Sequence, residues 1–174
     1  MGPQKSQQTK RAEDVPEGFA VAVVREGGKW ECTAIPAAAL TSLSVAESAL
    51  RELRSAGAVF GLLDVDDEFF VIVRPGPSGT RLFLSDATAA LDYDLAAEVL
   101  EKLDADIEDE DLDGADPFEE GDLGVLSDIG LSEAVLGVIL DESDDLYADE
   151  QVGRIASEMG FADELAAVLK RLNR

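Results

Sequence analysis

The sequence predicts an α+β protein: an N-terminal, mostly antiparallel sheet with helices in the order β-β-α-β-β-β-α, an acidic linker, and a small C-terminal helical subdomain. Three observations carry that prediction. Short β-rich runs, punctuated by Gly, Pro and Asp, recur through residues 19–85. Apolar residues return at helical spacing in 44–57, 94–103 and 132–172. Between these, residues 104–120 read DADIEDEDLDGADPFEE, too polar to bury a face of their own. The expected divisions are a disordered tail at 1–18, an α+β domain at 19–103, the acidic linker at 104–120 and the helical subdomain at 121–174.

Taken in order, residues 19–25 (FAVAVVR) form a first strand. Glu26-Gly27-Gly28-Lys29 offers a turn, because glycine tolerates positive φ, and residues 30–35 (WECTAI) return as a second strand that Pro36 stops. Ser44-Val45-Ala46-Glu47 has the form of a capping box. It predicts a helix with Val45, Ala49, Leu50 and Leu53 inward, Glu47 and Arg51 one turn apart, and Gly57 as terminator. Residues 58–65 and 68–74 flank the polar pair Asp66-Asp67, a hairpin signal, and the loop 75–79 (PGPSG) leads to a further strand at 80–85. Asp86 suits the start of a short turn through Ala90, and Asp94 that of a helix with Leu95, Val99, Leu100 and Leu103 inward.

The second half reads as helices. Residues 122–129 form a short one closed by Gly130, and Ser132 caps the next, with Val135, Leu136, Ile139 and Leu140 on one face. Asp149 opens a helix carrying Val152, Ile155, Ala156 and Met159 that Gly160 stops. Asp163 opens the last, with Leu165, Val168, Leu169 and Leu172 inward and Lys170 and Arg171 at its C-terminal end, where positive charge suits the helix dipole.

Charge departs furthest from the ordinary. The chain has 38 acids, 14 bases and no histidine, a net charge of −24. Residues 104–150 hold 19 of the acids and no base. Such a chain repels phosphate backbones, which argues against direct nucleic-acid binding, and it is steered toward basic proteins at low salt. The absence of histidine removes the commonest general base and every triad that needs an imidazole. A single cysteine, Cys32, forms no internal disulfide and fits a reducing compartment. No run of apolar residues is long enough to span a membrane, and residues 1–13 lack the apolar core of a signal peptide, so a cytoplasmic protein is expected.

The candidate partner-binding residues are the acids of the linker: Asp104, Asp106, Glu108, Asp109, Glu110, Asp111, Asp113, Asp116, Glu119 and Glu120. A solvated, solubilising spacer accounts for the same pattern. Two further clusters, Asp64-Asp66-Asp67-Glu68 and Asp141-Glu142-Asp144-Asp145, have the oxygen ligands that suit Ca²⁺ or Mg²⁺. Neither has the EF-hand spacing, and solvated turns explain both. Ser85-Asp86 lacks the glycines of a nucleophile elbow, so an N-cap is the better account, and Cys32 in an alternating strand reads as a buried structural thiol. No catalytic residue, metal ligand or cofactor site is therefore expected.

The run Gly61-Leu62-Leu63-Asp64-Val65-Asp66-Asp67-Glu68-Phe69-Phe70-Val71-Ile72-Val73-Arg74, with residues 81–91 (RLFLSDATAAL), resembles the actinobacterial tRNA adenosine deaminase-associated protein family. Residues 121–128 (GDLGVLSD) and 146–150 (LYADE) continue the likeness, which covers most of 19–169. The resemblance implies gene proximity to a tRNA adenosine deaminase and brings no catalytic residues with it. The chain is not itself such a deaminase, which needs a zinc ligand set of histidine and cysteines that one cysteine cannot supply. The function expected is that of a non-catalytic accessory protein binding a basic partner, with that deaminase as the candidate. Two alternatives stand beside it. One is a carboxylate-based metal-binding protein or enzyme. The other, by fold analogy, is a small-ligand or dimerisation module with a roadblock- or profilin-like sheet, which leaves self-association open.

Overall fold

Apolar residues in the strands are continuous rather than alternating: all six residues from Phe60 to Val65 and all five from Phe69 to Val73 are buried. A strand of that kind must be covered on both faces. The computed structural model, which describes residues 16–142 and 146–173, has that arrangement. Strands β1 (Gly18–Glu26), β2 (Lys29–Ala34), β3 (Ala58–Val65), β4 (Phe69–Gly76), β5 (Gly79–Leu84) and β6 (Glu120–Gly121) form one sheet. Its order is β2-β1-β3-β4-β5-β6, antiparallel throughout. The α+β class and the antiparallel sheet read from the sequence are both present.

On one face, Ala20, Leu63, Val65, Phe69, Val71 and Leu84 pack under α1 (Leu43–Glu52) and α2 (Asp94–Lys102), with 3₁₀ turns at Ala37–Leu40 and Ala87–Leu91. On the other, Val21, Val23, Phe60, Leu62, Ile72 and Phe83 pack under α4 (Glu133–Asp141), α5 (Ala148–Met159) and α6 (Ala162–Arg171). The amphipathic C-terminal helices thus bury their apolar stripes on the sheet, and one cluster runs without a break from Phe19 to Val168.

Turn chemistry follows the sequence closely. Gly27 and Gly28 have φ of 61° and 79°, and Asp66 and Asp67 have 56° and 58°, the left-handed pairs that a tight hairpin needs. Asp86 accepts from the backbone N–H of Thr88, and Ser132 from that of Val135. Other local readings shift. The cap of α1 is Ser42, whose hydroxyl accepts from Val45 N–H, not Ser44. The start moves because Leu43 and Ala46, rather than Ala49 and Leu53, are what the sheet buries. Arg54, at φ 48°, reverses the chain after α1 in place of Gly57. Gly57 is needed for another reason: a Cβ there would lie 1.9 Å from the carbonyl oxygen of Arg25. Tyr93 and Tyr147, not Asp94 and Asp149, hold the N-cap positions of α2 and α5. Residues 122–129 form turns ending in a 3₁₀ segment, Ser127–Ile129, in place of a helix.

The acidic segment departs from the expectation of a chain unable to order itself. Leu112 is buried at the end of the one-turn helix α3 (Asp109–Leu112), and Ala105, Ile107 and Phe118 pack against the same cluster. Phe118 also accepts a hydrogen bond from Ala87 N–H, and Glu120-Gly121 then adds β6 to the sheet edge. Four apolar side chains spaced along the segment are enough to pin it, because each lands on a surface that the rest of the fold has already built. The tail expected at 1–18 falls outside the described residues up to residue 15, as do Asp144 and Asp145 of the second acidic cluster.

Candidate functional site: the acidic segment and a neighbouring cleft

Antiparallel pairing sends the β1–β2 turn, the α1–β3 loop and the β4–β5 turn to one end of the sheet, and the β3–β4 turn and the end of β5 to the other. Six bases lie at the first end, beside Glu26, Asp122 and Asp128. Arg25, Lys29, Arg51, Arg54, Arg74 and Arg81 all lie at the first end. Arg25 stacks over Trp30 at 5.2 Å, and Arg51 donates to Gly76 O and Thr80 Oγ1.

Arg74 and Arg81 are directly opposite each other on β4 and β5, an arrangement of like charges that needs compensation. Segment 121–128 supplies it. Arg74 makes a two-pronged contact with Asp128 at 2.5 and 3.0 Å and donates to Val125 O, while Arg81 donates to Asp122 at 2.7 Å and to Gly124 O. The Arg74 hydrogen bonds hold the Asp128 carboxyl below the usual carboxylate range, against the opposing effect of partial burial. Gly121 begins this strap at φ 107°, where a Cβ would lie 2.4 Å from Leu82 O.

Acids gather at the opposite end. Asp66 accepts from Glu17 N–H and from the Tyr93 hydroxyl, which raises the Tyr93 pKa along with burial, the larger cause. The Asp64 side chain, fully buried, shares the face of Phe60 and Leu62 by strand alternation. Nearby, a cleft of about 240 Å³ is lined by residues of the β3–β4 turn, the end of β5, residues 117–119, Leu140, and residues 146–148 and 151. Asp67, Glu68, Asp86 and Glu119 contribute carboxylates to it, and Phe118, Leu140, Leu146 and Tyr147 contribute apolar surface. Of the linker acids, Asp104, Asp106, Glu108, Asp109, Glu110, Asp111, Asp113, Asp116 and Glu119 are exposed or half-buried and Glu120 is half-buried. Among the described residues none of the ten makes an ion pair.

The two acidic clusters weighed as metal ligands can be placed in part: the β3–β4 turn and Glu142 lie at this end. Among the described residues, no group of three or more acidic, cysteine or histidine side chains is arranged to hold a metal ion. Cys32 is buried between β2 and α6, where burial, with smaller contributions from Glu164 and Glu31, pushes its thiol up to about 12. Sequence reasoning did not find the cleft. Its walls come from four stretches far apart in the chain. The one available signal was Tyr147, an aromatic residue in a strongly acidic stretch.

Fold and charge together define an acidic α+β protein whose antiparallel sheet is covered on both faces. The chain belongs to the family described as Rv3753c-like tRNA adenosine deaminase-associated protein, whose model matches residues 18–162. It is similar to Protein Rv3753c of Mycobacterium tuberculosis (strain ATCC 25618 / H37Rv), with 74% identity over 174 residues that cover 100% of both chains. No solved structure matches it. Among the described residues no helix is long and apolar enough to cross a membrane.

Proposed function

We propose that this chain is a cytoplasmic accessory protein with no catalytic machinery of its own, which contacts a basic partner through its acidic segment. The tRNA adenosine deaminase of the family description is the partner we assign. One observation carries the reading: ten carboxylates at 104–120 are held on a backbone anchored by Leu112 and Phe118, with no base of the described fold paired to them. A purely solubilising spacer has no need of such anchoring. Pre-ordered like charges attract a basic surface over a Debye length of about 8–10 Å and mainly raise the association rate. A polyanion of this kind competes with tRNA for the same positive surface of an enzyme.

Co-purification from the native host tests this. The deaminase is expected in the eluate at low salt, with recovery falling at moderate salt. A variant with the ten acids changed to Asn or Gln should lose it. Absence of the deaminase at both salts, or turnover of a substrate by the purified chain, would defeat the reading.

A further inference from the structure

The two edges of the sheet are finished differently. Beyond β5 the edge is cut down to the two residues of β6 and closed by the 121–128 strap, through Asp122 N–H on Leu82 O and the contacts of Arg81. The opposite edge is β2, six residues in unbroken register with β1 from Val21↔Ala34 to Glu26↔Lys29. A short strand, a bulge or an internal proline usually protects an edge. β2 has none of the three, and its one lysine, Lys29, sits at the turn end.

Register fixes which backbone groups point outward. Ile35 N–H donates to Ala20 O, so Lys29, Glu31, Thr33 and Ile35 are the residues that exchange hydrogen bonds with β1. Trp30, Cys32 and Ala34 alternate with them, and their N–H and C=O groups face away from β1. No described residue bonds these outward groups. A row of unpaired donors and acceptors at strand spacing is a template for another strand.

We propose that a second copy of this chain occupies this edge, with β2 antiparallel to β2 about a two-fold axis. Three registers compete. In the first, Trp30 pairs with Ala34 of the second copy and Cys32 with its own equivalent. Every outward group is then used, and Glu31 lies opposite Thr33. A shift one way puts Glu31 opposite the same residue of the second copy, a like-charge pair. A shift the other way brings Pro36 opposite Trp30, but Pro36 has no N–H and its carbonyl already accepts from Ala39. The first register is therefore the one assigned. It is self-complementary, as a two-fold contact requires. Charge permits it although each chain carries −24. The anchored end of the acidic segment lies at β6, five strand spacings from β2, or roughly 24 Å. That exceeds the Debye length of about 8 Å at physiological salt. Pairing at β2 thus leaves both acidic segments free at the two far ends of one continuous sheet.

Sedimentation velocity of the full chain tests this. Twice the 18.5 kDa of one chain is expected at high concentration. Six backbone hydrogen bonds of ordinary net worth imply a dissociation constant on the order of 10–100 μM. Because two acidic chains repel, added salt should tighten the dimer, the reverse of the salt response expected for the deaminase complex. Hydrogen exchange locates the contact. The amides of Trp30, Cys32 and Ala34 should gain protection as concentration rises, while those of Glu31 and Thr33, already bonded to β1, should not change. Ala34→Pro removes an N–H that the single chain does not use, so the far-UV circular dichroism should be kept while the dissociation constant rises about tenfold or more. Thr33→Glu should weaken the dimer severalfold and Thr33→Lys should tighten it, whereas the same exchanges at exposed Ala97 on α2 should do neither. A monomer at every concentration, or a dimer whose three edge amides stay unprotected, would overturn the proposal. So would edge protection that is independent of concentration, undiminished association of Ala34→Pro, or equal association of the two Thr33 variants. None of those results bears on capture of the deaminase, so the two readings fail separately.

Discussion

Phe161 is fully buried where α5 gives way to α6, its ring 5.0 Å from Trp30 and 6.0 Å from Phe60. Gly160 makes that junction at φ 102°, so the ring is delivered to the sheet by a fixed turn. Phe161→Ala removes a whole aromatic side chain from the contact between the helical layer and the first three strands. Truncations of that kind cost about 3–5 kcal/mol. The edge-to-face contact with Phe60 and the tilted one with Trp30 argue for the upper half of that range. Against a total of roughly 5–15 kcal/mol for a domain, the variant should be left marginally folded. Trp30 is the only tryptophan, which makes the measurement clean. Urea unfolding followed by its fluorescence and by far-UV circular dichroism should give coincident transitions in both proteins, with the variant's midpoint displaced by the full amount. Two separated transitions, or a stability change under about 1 kcal/mol, would refute the claim that helices and sheet share one cooperative core.

Three other outcomes follow from the same contacts. Asp128→Asn should destabilise the fold by about 1 kcal/mol, discounted because the carboxylate is over half exposed even though Arg74 is largely covered. Since the folded-state pKa of Asp128 is depressed, its contribution is present above the unfolded carboxylate range and disappears as pH falls through the folded value. Denaturation of the two proteins should therefore converge in acid. Leu112→Ala should cost about 2–3 kcal/mol locally and strip hydrogen-exchange protection from amides of 105–118, leaving β1, β3 and β4 protected. Equal loss everywhere would contradict a separately anchored segment. Cys32, with its thiol pushed up to about 12, should react with a thiol reagent at pH 8 only as fast as the chain unfolds. Burst labelling of the native protein would count against its placement under α6.

Strands and turns were legible because they depend on neighbours in the chain. Gly-Gly and Asp-Asp pairs between β-rich runs marked hairpins that the left-handed φ values of all four residues bear out. Ser132, Asp86 and Gly160 act at the ends where the sequence placed them. Helix starts were less legible. Ser42 and Ser44 are equally good caps by chemistry, and the choice went to whichever let Leu43 and Ala46 reach the sheet. A missed clue was the unbroken apolar character of β3 and β4, which already required a second covering layer that only the C-terminal helices could supply.

From composition and periodicity come the α+β class, the positions of the strands and turns, the absence of an imidazole, and a mid-chain excess of carboxylates. Those properties are local or additive, so one chain read end to end contains them. The anchoring of the acidic segment by Leu112, the grip of Arg74 and Arg81 on the strap at 121–128, and the meeting of Glu68, Glu119, Tyr147 and Gln151 around one cleft belong to the folded molecule alone. Each joins residues dozens of positions apart, and their approach depends on how the layers stack on the sheet, a relation that no spacing along the chain encodes.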